Sequence, residues 1–260
     1  MLRHTNPGVQ NASPQLLHPL PHRTPFSEEA LQGIRGAFPY AVIKVNDPNY
    51  LNIYRLEMHV GDRASFDASS IDRVSIDVGG ASGVQIPYPS DFDWSFSFLI
   101  ESGSFYANDD TDFFDLTAVH DVTGGTNCGP TYGIDAEGRI IPWLFINGTT
   151  HVNIWPTTQY GPVITQRVWH HLRTVCRFDT AANGGFCQTW YDGAQIFSWT
   201  GDGLGSSAGA PFWVNNSCYR GSNSPPCKGP FCCWFANVEF AVGSRPFASR
   251  ITSPLPCPPL

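Results

Sequence analysis

The densest group of oxygen ligands in the chain is the acidic run over residues 108–112, Asn-Asp-Asp-Thr-Asp. Carboxylates are the ligands that Ca²⁺ prefers, and Asp109, Asp110 and Asp112 lie close enough in sequence to share one ion. The run lacks the regular spacing and the terminal glutamate of a calcium-binding loop, so a solvated acidic loop is the favoured alternative. We therefore expect no obligatory cofactor, with calcium as the one candidate ion.

The eight cysteines offer a second chemistry, which is disulfide formation. Their spacing does not match paired zinc knuckles, and a chain of this kind is typical of an oxidising environment. Cys176 and Cys187 face each other if residues 179–184 form the loop of a hairpin, at a separation that a disulfide can span. The sequence therefore predicts a Cys176–Cys187 disulfide.

The later cysteines leave several pairings open. Cys218 has nearby partners in Cys227 and in the adjacent residues Cys232 and Cys233. Successive side chains of a strand point to opposite faces, so the two adjacent cysteines need different partners. We expect Cys218 to pair with Cys227 or with one of the adjacent two. Cys128 and Cys257 are far from these cysteines in sequence, so we expect at least one bridge to run between chains.

These groups belong to a chain with β-strand patterns almost throughout. The clearest is a three-stranded meander over residues 168–199, in which the dipeptide Asp192-Gly193 supplies the positive φ angles of a two-residue hairpin turn. The alternation in Trp94–Ile100 predicts a half-buried strand with its aromatic side chains facing inward. Ten strand-like segments outside the meander have the spacing of a β-sandwich. They are Tyr40–Val45, Tyr50–Val60, Arg73–Val78, Trp94–Glu101, Phe113–His120, Gly133–Asp135, Ile140–Ile146, His151–Trp155, Phe212–Arg220 and Cys232–Val242.

Composition agrees with one all-β domain and excludes two classes of partner. The 260 residues include 25 Gly and 22 Pro, with 13% aromatic and 14% charged residues, which suits short strands joined by tight turns. The net charge of -7 and the lack of a basic stripe argue against nucleic acid and against an anionic membrane. No apolar run approaches the roughly 20 residues of a membrane span.

The two ends of the chain differ from this body. Residues 1–26 contain five prolines and predict an extended arm. Ser27 is a suitable N-cap for one short helix over Glu28–Ile34. The domain then occupies residues 27–245, and residues 246–260 form a second proline-rich tail. We expect both ends to dock on other subunits of an assembly, which makes the protein an oligomer.

The N-terminal sequence MLRHTNPGVQ has no basic-then-apolar signal segment, although the cysteines indicate an oxidising environment. Either a signal segment has been removed, or the protein meets oxidant only after it leaves its cell, as a virion protein does at lysis. Both explanations predict an extracellular or virion-surface location. A bacteriophage particle is the favoured assembly.

A tryptophan at the start of a strand, followed by a hairpin ending in Tyr191-Asp192-Gly193, resembles the back-sheet signature of concanavalin-A-like jelly rolls. This superfamily contains lectins, glycanases and polysaccharide lyases. The resemblance implies a two-sheet antiparallel jelly-roll sandwich. It implies little about function, because one fold hosts many activities.

Three segments resemble a narrower family, the jelly-roll polysaccharide lyases of the alginate, glucuronan and heparin lyase type. Residues 54–63 together with residues 72–76 are similar to the paired N-terminal strands that carry the family's Arg-x-Glu-Leu motif. Ala-Val-His at residues 118–120 lies where those lyases carry Gln-x-His. Residues 213–219 lie where they carry Tyr-Phe-Lys-x-Gly-x-Tyr. The resemblance covers roughly residues 38–245.

The resemblance implies β-elimination of a uronate-containing glycan. Such an enzyme neutralises the sugar carboxylate, removes the neighbouring proton and protonates the leaving oxygen. His120 would be the base, and Tyr219 the acid, or both acid and base when elimination is syn. Arg73 or Arg220 would pair with the sugar carboxylate. The implied substrate-binding residues are Arg73, Asn215, Arg220 and Arg55.

Each of these residues also has a structural interpretation. His120 at the end of an apolar strand is equally compatible with a hydrogen-bonded structural histidine, and Tyr219 with an edge aromatic. Arg55 and Glu57, two apart on one strand face, form a surface ion pair in the favoured interpretation.

The sequence departs from the lyase motifs at Ala118, Asn215 and Ser75, which replace Gln, Lys and Glu. Loss of one hydrogen-bond donor of this kind costs on the order of 100- to 1000-fold in turnover. The sequence therefore favours a structural or glycan-binding jelly-roll module on the outside of an assembly. A polysaccharide lyase that acts on an acidic glycan is the alternative.

Overall fold

The computed structural model describes residues 40–45, 53–59, 61–62, 71–78, 85–103, 112–122, 127–135, 137–146, 150–153, 161–179, 184–201, 204–205, 210–222 and 229–243. Within these ranges every regular element is a β-strand, and no helix is present that could cross a lipid bilayer. The helix expected at Glu28–Ile34, the arm at residues 1–26 and the tail at residues 246–260 lie outside the described residues. They stay predictions, as do the domain boundaries.

The described strands form two antiparallel sheets. The seven-stranded sheet has the order β1-β2-β13-β4-β9-β10-β11 and the six-stranded sheet has the order β3-β12-β5-β6-β7-β8. This confirms the predicted two-sheet antiparallel sandwich. The strands are β1 Val42–Val45, β2 Ile53–Met58, β3 Ile71–Val78, β4 Ser90–Ser102, β5 Asp112–Asp121, β6 Pro130–Ile134, β7 Ile140–Ile146, β8 Thr150–Asn153, β9 His170–Phe178, β10 Gly185–Tyr191, β11 Ala194–Gly201, β12 Phe212–Ser222 and β13 Phe231–Gly243.

Strand β4 provides the centre of the hydrophobic core. Its side chains Trp94, Phe96 and Phe98 are buried and pack against one another, which confirms the prediction that they face inward. The expectation of a half-buried strand is wrong, because Ser95 and Ser97 on the opposite face are also completely buried. β4 lies between β13 and β9 in the interior of the larger sheet.

The meander of β9, β10 and β11 has the predicted turn. Asp192 and Gly193 have φ angles of 49° and 82°, as a two-residue hairpin of this type requires. Cys187 is the direct partner of Cys176, so the predicted register is confirmed. Both residues are free thiols, however. The structure therefore supports the juxtaposition of the two cysteines but not the disulfide.

Cys218 of β12 and Cys233 of β13 meet in the core between the two sheets, with their sulfur atoms 2.7 Å apart. Cys232 lies on the other face of β13, where its sulfur accepts a hydrogen bond of 3.0 Å from Nη2 of Arg55. The prediction that the adjacent cysteines point to opposite faces is confirmed. All described cysteines are free thiols, and Cys227 lies outside the described residues.

The hydroxyl of Tyr132 joins the two sheets across the core. It lies 2.5 Å from Oγ1 of Thr174 and 2.6 Å from Oγ1 of Thr189. Burial raises the pKa of this phenol well above its ordinary value, so it stays neutral and can both donate and accept. These contacts tie β6 of the six-stranded sheet to β9 and β10 of the seven-stranded sheet.

A buried ion pair fixes β12 against β3. Nε of Arg220 lies 3.0 Å from Oδ2 of Asp72, and the two residues are direct partners in the ladder. Nη1 of Arg220 donates to the carbonyl of Gly229 at 3.0 Å, and the amide of Gly61 donates to the other Asp72 oxygen at 2.7 Å. Arg220 is only 1% exposed, so its charge depends on these partners.

We predict that Arg220→Met lowers the free energy of unfolding by about 3–5 kcal/mol, because it leaves the Asp72 carboxylate buried without its cation. Urea denaturation followed by tryptophan fluorescence measures this loss. In the double variant Asp72→Leu/Arg220→Met both charges are removed, and most of the stability should return. A single variant within about 1 kcal/mol of the parent would show that the pair does not hold the two strands.

Candidate functional site

The outer face of the six-stranded sheet, defined as the face that points away from the core, follows from strand alternation. Val74 and Ile76 of β3, Val214 of β12 and Val119 of β5 are buried core residues. Their neighbours along each strand point outward. The outer face therefore receives polar and aromatic side chains from three adjacent strands.

One row of this face runs across β3, β12 and β5. Tyr219 is the direct ladder partner of Arg73 on one side and of Asp115 on the other. Directly paired residues present their side chains to the same face. Cζ of Arg73 lies 4.1 Å from the centroid of the Tyr219 ring, which is a cation–π contact. On the far side of Asp115, its ladder partner on β6 is Gly133, which has no side chain.

Asp115 is the member of this row that sequence reasoning missed. It is 4% exposed, and its Oδ1 is buried without a hydrogen-bond partner. Burial raises the pKa of this carboxyl to about 8, although the charge of Arg73 opposes the shift. The group is therefore a neutral acid at neutral pH. The available signal was an aspartate between two apolar residues, Phe114 and Leu116.

A second cluster lies further along the same face. His120 of β5 is the ladder partner of Trp213 of β12, and their ring centroids are 4.6 Å apart. Nε2 of His120 lies 3.2 Å from Nδ2 of Asn215, whose Oδ1 accepts the backbone amide of Ala118 at 2.9 Å. The structure thus brings the predicted residues His120 and Asn215 together.

The same register separates His120 from Tyr219. Tyr219 is level with Asp115, and His120 is five residues further along β5, about 16 Å away at the strand rise of 3.3 Å per residue. A β-bulge between Asn216 and Tyr219 shifts the ladder there. The two groups therefore share a face but lie at different levels along the strands, and the base–acid pair of His120 and Tyr219 stays a prediction.

Two of the predicted substrate-binding arginines lie elsewhere. Arg220 points into the protein interior, where Asp72 pairs with it. Arg55 belongs to the seven-stranded sheet, where it contacts Glu57 at 2.6 Å and Glu101 at 2.8 Å. The ion-pair interpretation of Arg55 and Glu57 is confirmed. Neither arginine contributes to the outer face of the six-stranded sheet.

Most of the residues of the calcium hypothesis lie outside the described residues. Asp109 and Asp110 lie outside the described residues, and Asp112 begins β5 with a side chain that is not described. Among the residues that are described, no group of three or more His, Cys, Asp or Glu side chains is arranged to hold a metal ion.

Comparison with known proteins identifies the fold. No protein-family model matches the sequence, and no curated protein sequence is detectably similar to it. Many solved structures are similar in fold. An endo-β-1,4-glucuronan lyase from Trichoderma reesei has a TM-score of 0.56 at 12% identity, over 77% of this chain and 86% of that chain.

Two alginate lyases give similar values. The alginate lyase vAL-1 from Chlorella virus has a TM-score of 0.53 at 8% identity, over 84% of this chain and 98% of that chain. The family 7 alginate lyase A1-II′ has a TM-score of 0.52 at 10% identity, over 76% and 85%. Identities this low show the fold alone. The predicted resemblance to the jelly roll of polysaccharide lyases is confirmed at that level.

We predict that Asp115 makes stability depend on pH. The unfolded carboxyl ionises near pH 4, whereas the pKa of the folded one is raised to about 8, so between these values only the folded state holds the proton. The contribution of the protonated Asp115 to the free energy of unfolding is complete below about pH 4 and is lost as the pH rises toward 8. Relative to Asp115→Asn, the free energy of unfolding should fall by about 1.4 kcal/mol per pH unit.

Urea denaturation of both proteins at several pH values across this window measures the difference. The asparagine variant is the matched control, because it keeps the shape of the side chain and does not titrate. Parallel stability curves would mean that Asp115 is already ionised in the folded protein.

Proposed function

We propose that the outer face of the six-stranded sheet binds an acidic polysaccharide and that the chain is a polysaccharide lyase acting on a uronate-containing glycan. The observation that carries the proposal is the position of Arg73 over the ring of Tyr219, in one row with Asp115. A cation next to a group able to transfer protons is what β-elimination beside a carboxylate requires. The glucuronan and alginate lyases with this fold support the substrate class.

In this mechanism Arg73 receives the sugar carboxylate. A guanidinium binds a carboxylate through two parallel hydrogen bonds and withdraws negative charge from it. This lowers the cost of removing the proton from the carbon next to the carboxylate. Desolvation strengthens the effect, because the row is flanked by buried strand residues.

Tyr219 acts as both base and acid in a syn elimination. Its deprotonated oxygen takes the proton from the carbon beside the carboxylate, and the electron pair of that C–H bond forms a carbon–carbon double bond. The bond from the next carbon to the glycosidic oxygen breaks, and Tyr219 returns the proton to that oxygen. The positive charge of Arg73 at 4.1 Å from the ring stabilises the negative charge on the phenolic oxygen.

The cluster of His120, Trp213 and Asn215 contacts another sugar of the same chain. Trp213 is partly exposed, and Trp143 of β7 presents a second partly exposed indole on the outer face. Indole rings offer a large apolar surface, which suits the apolar faces of sugars. His120 therefore serves binding in this proposal and does not serve as the base.

The second candidate function is a glycan-binding module without turnover. The distance between His120 and Tyr219 favours it, as does the replacement of a donor by Ala118. A structural role in a bacteriophage particle receives no support from the comparisons. It depends on residues 1–26 and 246–260, which lie outside the described residues. Action on a polysaccharide suggests an extracellular location for either candidate.

The lyase proposal predicts different effects for Tyr219 and His120, the two residues that the sequence predicts to be catalytic. Tyr219→Phe should lower kcat by about 1000-fold, because it removes the group that transfers protons. His120→Ala should raise KM and leave kcat within about threefold, because His120 lies about 16 Å along the strand from the level of Tyr219. Release of unsaturated uronates from glucuronan and alginate, followed by ultraviolet absorbance, measures both parameters.

Tyr40→Phe is the matched control, since it removes a phenol that lies just before β1 of the other sheet and donates to Oδ1 of Asp62 at 3.0 Å. It should leave kcat unchanged. An equal loss of kcat in the His120 and Tyr219 variants would contradict the single-tyrosine mechanism. Saturable binding of uronate glycans with no product from the parent protein would establish the glycan-binding module instead.

A further inference from the structure

Asp115 is a buried acid in the same row as Arg73, the cation that the proposed function assigns to the sugar carboxylate. It follows Tyr219 in the outer-face row, with Arg73 on the other side of the tyrosine. Two strand spacings, about 10 Å at the backbone, separate Asp115 from Arg73, and long side chains shorten this distance. The charge of Arg73 already acts on the Asp115 carboxyl.

We propose that Asp115 controls the affinity of this site for anionic sugars: as a neutral acid it does not oppose the charge of Arg73, and as a carboxylate it offsets that charge and repels the sugar carboxylate. This inference rests on the proposed function, since it concerns the same site and the same substrate class. It adds a group, and a pH dependence, that the lyase resemblance does not contain.

The neighbours of Asp115 make it the titrating member of this row. From β12 it faces Tyr219, while Ser217 Oγ donates to its main-chain carbonyl at 3.3 Å. The charge of Arg73 on β3 acts on its carboxyl, and its ladder partner on β6 is Gly133. Among the described residues around it, Arg73 carries the one charge that acts on the carboxyl.

The geometry also explains why the acid stays neutral at neutral pH. Its Oδ1 is buried and accepts no hydrogen bond, so no donor stabilises the ionised form at that oxygen. Burial raises the pKa to about 8 even with Arg73 nearby. A bound uronate adds a second negative charge, which favours the neutral acid further. Binding and protonation are therefore coupled, and each strengthens the other.

The test measures binding in a Tyr219→Phe background, which prevents turnover and removes the phenol as a titrating group. Isothermal titration calorimetry uses a glucuronan tetrasaccharide at about pH 6.5 and at about pH 9. We expect affinity to fall by about tenfold or more between these values, within the usual range of such coupling. With Asp115→Asn added, affinity at pH 6.5 should stay within a few-fold, and the fall at pH 9 should disappear.

Glu137→Gln is the matched control. It removes one negative charge from an exposed position and so, at about pH 9, changes the net charge by the same amount as Asp115→Asn. This variant should keep the full pH dependence. A neutral tetrasaccharide with the same linkage should show no pH dependence in any variant, because it carries no carboxylate for Arg73.

Proton uptake gives an independent measurement. At about pH 8.5 the bound uronate should draw a proton onto Asp115, so that the observed binding enthalpy differs between buffers of different ionisation enthalpy. At about pH 6.5 the acid is already protonated, and the two buffers should give the same enthalpy. Asp115→Asn should remove the difference at pH 8.5, which a purely structural role of Asp115 would not do.

Two failures are distinguishable. If the parent background binds no uronate tetrasaccharide at pH 6.5, the proposed function fails. If it binds, but its affinity and proton uptake equal those of Asp115→Asn at both pH values, the proposal for Asp115 is overturned and the proposed function stands. An equal loss of affinity for the neutral glycan at pH 9 would show that pH acts by changing the fold. This outcome also overturns the proposal for Asp115.

Discussion

The buried ion pair between Arg220 and Asp72 is the constraint on which the outer face depends. These residues are partners one step along the ladder from Tyr219 and Arg73. Because side chains alternate between faces, a slip of one residue would send the whole outward row into the core. An ion pair that must remain intact in the interior penalises such a slip more than apolar residues do. The pairing of Arg73 with Tyr219 on one face is thus secured from the other face of the same two strands.

The protein places similar residues in opposite electrostatic environments on its two sheets. On the seven-stranded sheet Asp93 is completely buried, but Arg173 holds both of its oxygens, at 3.1 and 2.9 Å. On the six-stranded sheet Asp115 is almost as buried, yet its Oδ1 has no donor and its arginine neighbour stacks on Tyr219. The first aspartate stabilises a structure. Burial raises the pKa of the second to about 8, and a raised pKa of this kind marks a candidate functional group.

Sequence patterns predicted the local features, because these depend on neighbouring residues. The turn at Asp192-Gly193, the register of the cysteine hairpin and the inward aromatic side chains of β4 all follow from short-range rules. The burial of both faces of β4 does not, since it depends on strands from distant parts of the chain. The disulfide was inferred from spacing, but juxtaposition alone does not determine oxidation state. The separation of His120 from Tyr219 depends on the register of β12 against β5, which pairs residues from distant parts of the chain.

In the proposed function, the two clusters of the outer face suit a polymeric ligand better than a single sugar. The row containing Tyr219 and the cluster around His120 lie on the same hydrogen-bonded strands, β5 and β12, so their separation of about 16 Å is held by the sheet. A monosaccharide reaches only one of them. A glycan chain that reaches both clusters binds the second one as an intramolecular event. The rigid spacing of the two clusters keeps the effective concentration of the second part of the glycan high. Binding at the cluster of His120 and Trp213 can then hold a uronate at Arg73 that would be weakly bound alone. In the proposed function, remote contacts of this kind help a site with one cation and one tyrosine to retain its substrate.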